Sequence, residues 1–472
     1  MRRYLLCLTA ILFLVGCQKS SSSNTSKEET NTSIEELNTT SFQNNNPLFY
    51  QQWSINHDVA FYAQNNINED AHIHFGDNIS RYNGKGIKVA IIDDGFDVTH
   101  PEIQDKIIAQ VNVFPNGFSA IDVSHTLPED MHGTALAGII AAANNDAGII
   151  GIANGVSLIL IKIPMDEYTD AAGIKAFDEA MRYGADVINC SWGTGDVSDA
   201  VREKITQVAT LGRDGKGTII LFASGNDDIN VGNDESSIEE VVGVGATDKE
   251  NLRTSYSNYG AALDITAPGG EYLGITTIDP LGTNGASIDE YNRFNEVRDG
   301  DKVFFTGTSA AAPIATGIIA LLLEKNPTLT REEVFSLLAS SSDKIGLHVP
   351  YVDDIITVHS TGATITGSFA ISGMSDFEVR ITNTQTSTTI GTYSIASVGS
   401  ERWEAIITKT LPAGRYRADV ISTYESERTD ERMVYASDDF YVTNNALPSS
   451  DSTKRKNNFY GYGKINIENL LE

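Results

Sequence analysis

The sequence predicts an α/β fold organised on a parallel sheet, with a smaller all-β module in its C-terminal third. Three observations carry that prediction. Nearly continuous runs of Val, Ile, Leu and Ala recur between Ile87 and Val244, and longer segments of helical period separate them. Strands apolar on both faces, alternating with helices, belong to a parallel sheet covered on both sides. Between residues 362 and 445 the helical segments stop, and Thr-, Ser-, Val-, Ile- and Tyr-rich runs of period two take over.

The elements follow in chain order. Met1-Arg2-Arg3 is a positive start, and Tyr4 to Val15 is an apolar stretch too short to span a bilayer as a mature helix. It runs into Leu14-Val15-Gly16-Cys17, which resembles the bacterial lipobox. That resemblance implies cleavage before Cys17 and a diacylglycerol on its thiol. The chain is then held at the bacterial cell envelope, in the periplasm or on the cell surface, through an N-terminal lipid anchor. Residues 1–17 read as a lipoprotein signal peptide. Residues 18–45, rich in Ser, Thr, Asn and Glu, bury no apolar area and read as a disordered tether.

Residues 46–350 hold the parallel-sheet domain. Its strands are expected over Ile87–Ile92, Leu158–Ile163, Val187–Cys190, Gly217–Ala223 and Val241–Val244, with helices from about His132 and over Gly173–Tyr183. Ligands of such sheets bind at the carboxyl ends of the strands. Residues 351–456 form a β-sandwich with flanking linkers, built from runs such as Phe377–Ile381 and Trp403–Ile407 and from turns such as Pro412-Ala413-Gly414. A last short helix ends the chain.

Composition excludes some functions. With 63 acidic and 34 basic residues the formal charge is −29. Nucleic acid is excluded as a main partner, since phosphate binding needs a basic footprint. An acidic surface steers a basic substrate inward. Of three cysteines, Cys7 leaves with the signal and Cys17 carries lipid, so Cys190 has no partner for a disulfide. It reads as a small buried hydrophobe in a strand. The chain reads as a monomer. His72-Ile73-His74 offers two ring nitrogens but no third metal ligand nearby.

Three islands carry chemistry. Val89-Ala90-Ile91-Ile92-Asp93-Asp94-Gly95 is a buried strand ending in carboxylates, placed to orient an imidazole. His132-Gly133-Thr134 opens a helix of small residues. In Gly307-Thr308-Ser309-Ala310-Ala311-Ala312-Pro313 a serine stands at the start of a long apolar helix, where amide dipoles favour a developing negative charge. A serine needs a base to become a nucleophile, and the base needs an orienting acid.

In their order (Asp, His, Ser) these islands resemble the subtilisin-like serine peptidases. The resemblance implies a subtilisin-like catalytic domain that hydrolyses peptide bonds in protein or peptide substrates, with Asp93, His132 and Ser309 as triad. Ala223-Ser224-Gly225-Asn226 is similar to the family segment whose Asn, here Asn226, donates into the oxyanion hole. Ser191-Trp192-Gly193 is similar to the strand that pairs with the substrate backbone. Within the family, Asn46-Pro47-Leu48-Phe49-Tyr50-Gln51-Gln52-Trp53 and the Gly307–Leu323 run resemble the kexin- and furin-like convertases, which cut after paired basic residues.

That likeness puts acids at three substrate positions. Asp94 faces the residue second before the cut, Asp196 the residue immediately before it, and Glu167 a basic residue further back. In place of the convertases' Cys-containing loop with its further acid stands a shorter Asp227–Glu240 segment, which offers Asp234 and Glu235. Strict dibasic specificity is therefore left open. The same resemblance implies a structural calcium ion held by Asn46, Glu102 and Asn145 with the carbonyls of Ala143, Ala147 and Ile149, an oxygen-only set suited to a hard cation.

It also implies that the β-sandwich is inserted. The helix at Arg331–Ser341 resembles the one after the family's serine helix, and a Gly-x-Gly segment and closing helix normally follow soon. Here Gly461-Tyr462-Gly463-Lys464-Ile465-Asn466-Ile467 supplies that segment late, so residues 457–472 are expected to return to the catalytic domain. Two other readings keep the scaffold. One is a catalytically silent subtilisin-like protein with a binding sandwich; the other is a degradative peptidase of broad specificity.

Overall fold

Strands β1 (Lys88–Asp93), β2 (Ile107–Asn112), β3 (Ser157–Lys162), β4 (Val187–Cys190), β5 (Ile219–Ala223), β6 (Val242–Thr247) and β7 (Ile265–Pro268) form one sheet in the order β2-β3-β1-β4-β5-β6-β7. Every pairing in it is parallel. The computed structural model describes residues 45–76, 81–113, 119–163, 165–287, 291–292, 296–298, 301–303, 305–345, 350–359, 362–369, 377–397, 402–409, 411–422, 434–442, 455–457 and 459–471. Cys17, the signal and the tether lie outside the described residues.

The sheet is covered on both faces, and alternate residues of each strand divide between two cores. Val89 and Ile91 of β1 and Leu158 and Leu160 of β3 enter the first, and Ala90, Ile92, Ile159 and Ile161 the second. Helices α2 (His132–Ala141) and α5 (Thr308–Lys325) line the first core. Helices α3 (Asp170–Arg182) and α4 (Asp199–Leu211) line the second, with Cys190, whose thiol burial pushes well above its ordinary value. A short helix, α1 (Val59–Asn65), precedes the sheet, and α6 (Arg331–Ser341) follows α5.

Most helices start on a capping side chain: Asp58 for α1, Thr169 for α3, Ser198 for α4, and a Thr330/Glu333 capping box for α6. Met131 and Gly307, which precede α2 and α5, give no such bond. Those two helix starts keep backbone N–H groups available to something else. Strands β2 and β7 and helix α4 are additions to the sequence reading. Both strands are sheet edges, and β7 has only four residues and ends on Pro268, so neither shows a long apolar run.

Two short pairs follow the sheet: β8 (Thr277–Ile278) with β9 (Tyr291–Asn292), and β10 (Glu296–Arg298) with β11 (Asp301–Val303). The all-β module comprises β12 (Pro350–His359), β13 (Gly362–Phe369), β14 (Phe377–Asn383), β15 (Thr388–Ser397), β16 (Arg402–Ile407), β17 (Gly414–Ser422), β18 (Val434–Val442) and β19 (Arg455–Lys456). Their order is β18-β17-β14-β15-β16-β13-β12-β19, and all pairs are antiparallel. Thr388–Ser394 of β15 pairs with β14 and Ile395–Ser397 with β16, so this one strand joins two half-sheets. Their inner faces share a core of Ile365, Val379, Ile381, Trp403, Ala405, Tyr416 and Val420.

The module is an insertion. After it, Tyr462 N–H donates to Asp264 O, Ile465 N–H to Thr266 O at 2.9 Å, and Thr266 N–H to Gly463 O at 2.9 Å, which lays the closing segment beside β7. Ile465, Ile467, Leu470 and Leu471, the last three in α7 (Ile467–Leu471), are buried in the first core.

Candidate active site

Sheet order reverses about β1: the chain leaves it toward β3 and β2 on one side and continues through β4 to β7 on the other. The crevice beyond the carboxyl ends of β1 and β4 is where such a reversal opens room for a ligand. β1 ends on Asp93, and Ser191-Trp192 follow β4.

Asp93 is 1% exposed, and its Oδ1 accepts from His132 Nδ1 at 2.8 Å and from Asp94 N–H at 3.0 Å. His132 sits at the uncapped start of α2 with a third of its side chain exposed. Its burial disfavours the imidazolium, but the charges of Asp93 and Asp94 outweigh that and hold its pKa above the ordinary value. For Asp94, burial and then the Asp93 charge push the carboxyl up. A carboxyl so placed regains its charge when a cation approaches.

Ser309 occupies the first turn of α5. Gly307, with φ at 123°, is what lets the chain enter that helix, and a side chain there would also crowd Asn226 Nδ2, 3.3 Å from its Cβ position. Ser309 Oγ donates to Ser191 O at 3.0 Å. Among the described residues it makes no hydrogen bond to His132. Apo hydroxyls commonly rest on a nearby carbonyl and turn to the base when substrate enters. Asn226 Oδ1 accepts from Thr308 N–H and Thr308 Oγ1, both at 2.9 Å. The amide's carbonyl end is thereby fixed, and its NH2 end is left for the cavity that Asn226 and Ser309 both line.

A polar chain beneath the serine escaped the sequence reading. Thr316 Oγ1 donates to Asn189 Oδ1, Asn189 Nδ2 to Ser191 Oγ, and Ser191 Oγ to Ser309 O, each at 3.0 Å. Asn189 and Thr316 are fully buried. Trp192 Nε1 donates to Ile92 O at 2.8 Å and pins the segment after β4 to β1.

The cavity beside Ser309 measures about 300 Å³ and is lined by Ser191, Trp192, Gly193, Asn226, Asp227 and Asp234 among others. The expected acids fall in different places around it. Asp196 is exposed, does not line the cavity, and accepts from Asn233 Nδ2 at 2.8 Å. Asp234 takes the wall, because Gly195 N–H, Ser236 N–H and Ser236 Oγ all donate to its carboxylate. Glu235 is fully buried behind it and accepts from Thr194 N–H and Oγ1. Glu167 is exposed and lines none of this cavity.

Beside Asp94 stand two residues that the sequence did not single out. His125 Nδ1 lies 3.7 Å from Asp94 Oδ1, and Asp130 lies two residues before His132. Burial pulls the His125 pKa down to about 4.

On the far side of α2, Asn46 Nδ2 donates to Ala143 O at 3.0 Å and to Ile149 O, so these carbonyls converge on one point. Glu102, 1% exposed, accepts from Ala143 N–H at 3.0 Å and from Tyr291 Oη–H at 2.8 Å. Burial pushes its carboxyl up, against those two hydrogen bonds. Asn145 Oδ1 accepts from Ala147 N–H at 3.1 Å. Tyr291 is an unforeseen partner, brought from the segment beyond β8.

Comparison with known proteins agrees with this architecture. The chain is 33% identical over 296 residues to a calcium-dependent protease of Trichormus variabilis, covering 56% of this chain and 42% of that one. It is 31% identical over 327 residues to the protease KEX1 of Kluyveromyces lactis, covering 65% of this chain and 39% of that one. The match thus spans less than half the length of either curated relative. A crystal structure of a serine protease of Aeromonas sobria shares the fold, at a TM-score of 0.54, 18% identity, 83% of this chain and 92% of that one. The Subtilase family profile matches residues 84–373, well over half of the sequence, and the chain belongs to the subtilase family.

Proposed function

We propose that the chain is a serine endopeptidase in which Ser309 attacks the scissile carbonyl, His132 takes the Ser309 proton, and Asp93 orients and stabilises the imidazolium. The observation that carries the reading is that the Asp93–His132 pair at the end of β1 and Ser309, which donates to Ser191 O just after β4, stand at the same crevice. As the tetrahedral oxyanion forms, Asn226 Nδ2 and the Ser309 N–H, one of the helix-start amides without a helical acceptor, donate to it. His132 then returns the proton to the leaving amine.

Substrate backbone lies along Ser191-Trp192-Gly193. Asp234 at the cavity wall favours Arg or Lys just before the scissile bond, and Asp94 favours a second basic residue before that. A preference for paired basic residues is that of the kexin-like branch that the sequence resembles. A lipid on Cys17 holds the enzyme at the cell envelope.

Ser309→Ala should lower hydrolysis of an Arg-containing fluorogenic peptide by a factor on the order of 10⁴–10⁶ without changing the melting temperature. Activity retained in a pure Ser309→Ala sample sinks the reading. Equal rates on Leu- and Arg-terminated reporters sink the specificity part alone.

The convergence of the Ala143 and Ile149 carbonyls beside Asn46 and the buried Glu102 fits a hard cation. Calcium there would be held by Asn46, Glu102, Asn145 and the carbonyls of Ala143, Ala147 and Ile149, and its contribution would be structural.

A further inference from the structure

We propose that Asp94, His125 and Asp130 bind a divalent transition-metal ion of the zinc class, and that the bound ion competes with substrate. The second half rests on the peptidase reading; the first does not. One ligand atom from each of the three residues lies within 4.8 Å of the other two. The His125 side chain is 9% exposed, and its buried Nδ1 has no hydrogen-bond partner, with Asp94 Oδ1 3.7 Å away. A ring nitrogen left without a bond, on a side chain nine-tenths buried and with a carboxylate 3.7 Å away, offers an open coordination position.

The supporting contacts are those of a ligand set. His125 Nε2 is hydrogen-bonded to Thr134 Oγ1 at 2.7 Å, which fixes the ring, and Asp97 N–H donates to the same oxygen at 2.8 Å. Asp130 Oδ2 accepts from Leu127 N–H at 2.9 Å, and Asp94 Oδ1 from Gly133 N–H at 3.4 Å. Such outer contacts orient metal ligands. Gly95 permits the assembly, because a Cβ there would stand 2.8 Å from the His125 Cα.

One imidazole and two carboxylates neutralise a dication and match zinc, with water completing a tetrahedron. Bonds of about 2.0–2.1 Å imply ligand separations of about 3.3 Å, so small carboxylate rotations close the site. Lys162 opposes it, since its charge bears on Asp94 and its Nζ is tied to Ser124 O and Thr126 Oγ1. Two carboxylates outweigh one ammonium. A neighbouring cavity of about 410 Å³, lined by His125 and Asp130, gives access. Competition follows because Asp94 is also the acid proposed for a basic substrate side chain.

The test is a calorimetric titration of Zn²⁺ into the full chain carrying Ser309→Ala, with Co²⁺ absorption as a second readout. One ion should bind, and His125→Gln should weaken it more than about tenfold. Asp130→Asn keeps an oxygen for Leu127 N–H and should weaken binding equally at an unchanged melting temperature. His72→Ala should leave it intact. No binding, binding that survives both His125→Gln and Asp130→Asn, or binding lost in His72→Ala overturns the site. In the unmutated chain Zn²⁺ should raise KM at constant kcat, and His125→Gln should hydrolyse peptide normally while losing that sensitivity. An ion bound through His125 that leaves hydrolysis unchanged overturns the competition. A chain that hydrolyses nothing overturns the peptidase reading, and the titration still decides the site.

Discussion

The residues proposed to act at this site are held by neighbours to which no direct part in the reaction is assigned. Asn226 is the clearest case. Its carbonyl is committed to Thr308, so the NH2 end is presented without any reorganisation at the moment of reaction. Asn226→Leu keeps the volume and removes the donor. It should lower kcat by about 10²–10³ with KM little changed, because the donated bond strengthens only as the oxyanion forms. Steady-state kinetics decide this, and a loss expressed in KM alone would show that Asn226 binds ground-state substrate instead. Asp93, His132 and Ser309 stand at a strand end and near two helix starts, and it is their order along the chain, more than any one local setting, that singles them out as the proposed triad. Asp234 was not separable from Glu235 in sequence, because the choice depends on which carboxylate Gly195 and Ser236 bind.

At the scale of elements, the loop after α2 and the closing segment each carry a testable contribution to stability. Chelation is the test of the loop after α2. If calcium is held there at about a hundred times its Kd, removing it destabilises the fold by about 2.7 kcal/mol. The melting temperature should fall, and Glu102→Ala should erase that fall; a melt indifferent to chelator argues against the ion. The closing segment carries Lys464, fully buried, whose Nζ donates to Asp70 O. Burial pulls its pKa from 10.5 to about 8, against the charges of Asp343 and Asp70. His74 Nε2, 3.4 Å from Asp343 Oδ2, faces the same carboxylate.

Between those two pKa values the unfolded chain binds more protons than the folded one, so this group's contribution to stability rises with pH across the interval. Below the folded value the penalty is complete. Lys464→Met removes the titration. The stability of the native chain relative to the variant should therefore increase from about pH 7 to about pH 9 in paired denaturant melts. A difference that is flat with pH shows that the lysine titrates normally.

For the whole molecule, the inserted module and the closing segment predict opposite outcomes of deletion. Ile345 packs with Phe459 and Tyr460, so the guest's two ends leave the host close together. β12 and β19 belong to the module by their pairing, so the clean cut is 350–456; a cut at 362–445 strips β12 of β13. Replacing 350–456 by a Gly/Ser bridge should leave a folded, active chain. Deleting 457–472 exposes the core that Ile465, Ile467, Leu470 and Leu471 fill, at roughly 1.5–3 kcal/mol for each. Thermal melts with peptide hydrolysis on both variants decide it, and a stable, active 457–472 deletion would sink the dependence.

The class of the fold and the strands at the centre of the sheet could be read in the sequence, as could the three side chains proposed as the triad. Each is written within a few residues: a run apolar on both faces, a carboxylate ending it, a polar residue at an uncapped helix start. Edge strands β2 and β7 were not legible, because a short edge carries little apolar pattern of its own. The remainder depends on contacts between segments far apart in the chain. Asn189 reaches Thr316 across 127 residues and Lys464 reaches Asp70 across 394, while His125 meets Asp94 because a loop folds over Gly95. Hydrophobic period states which face of an element is covered. It does not state which distant segment covers it, and the polar contacts that aim Ser309, seat Asp234 and gather Asp94, His125 and Asp130 are set by that choice.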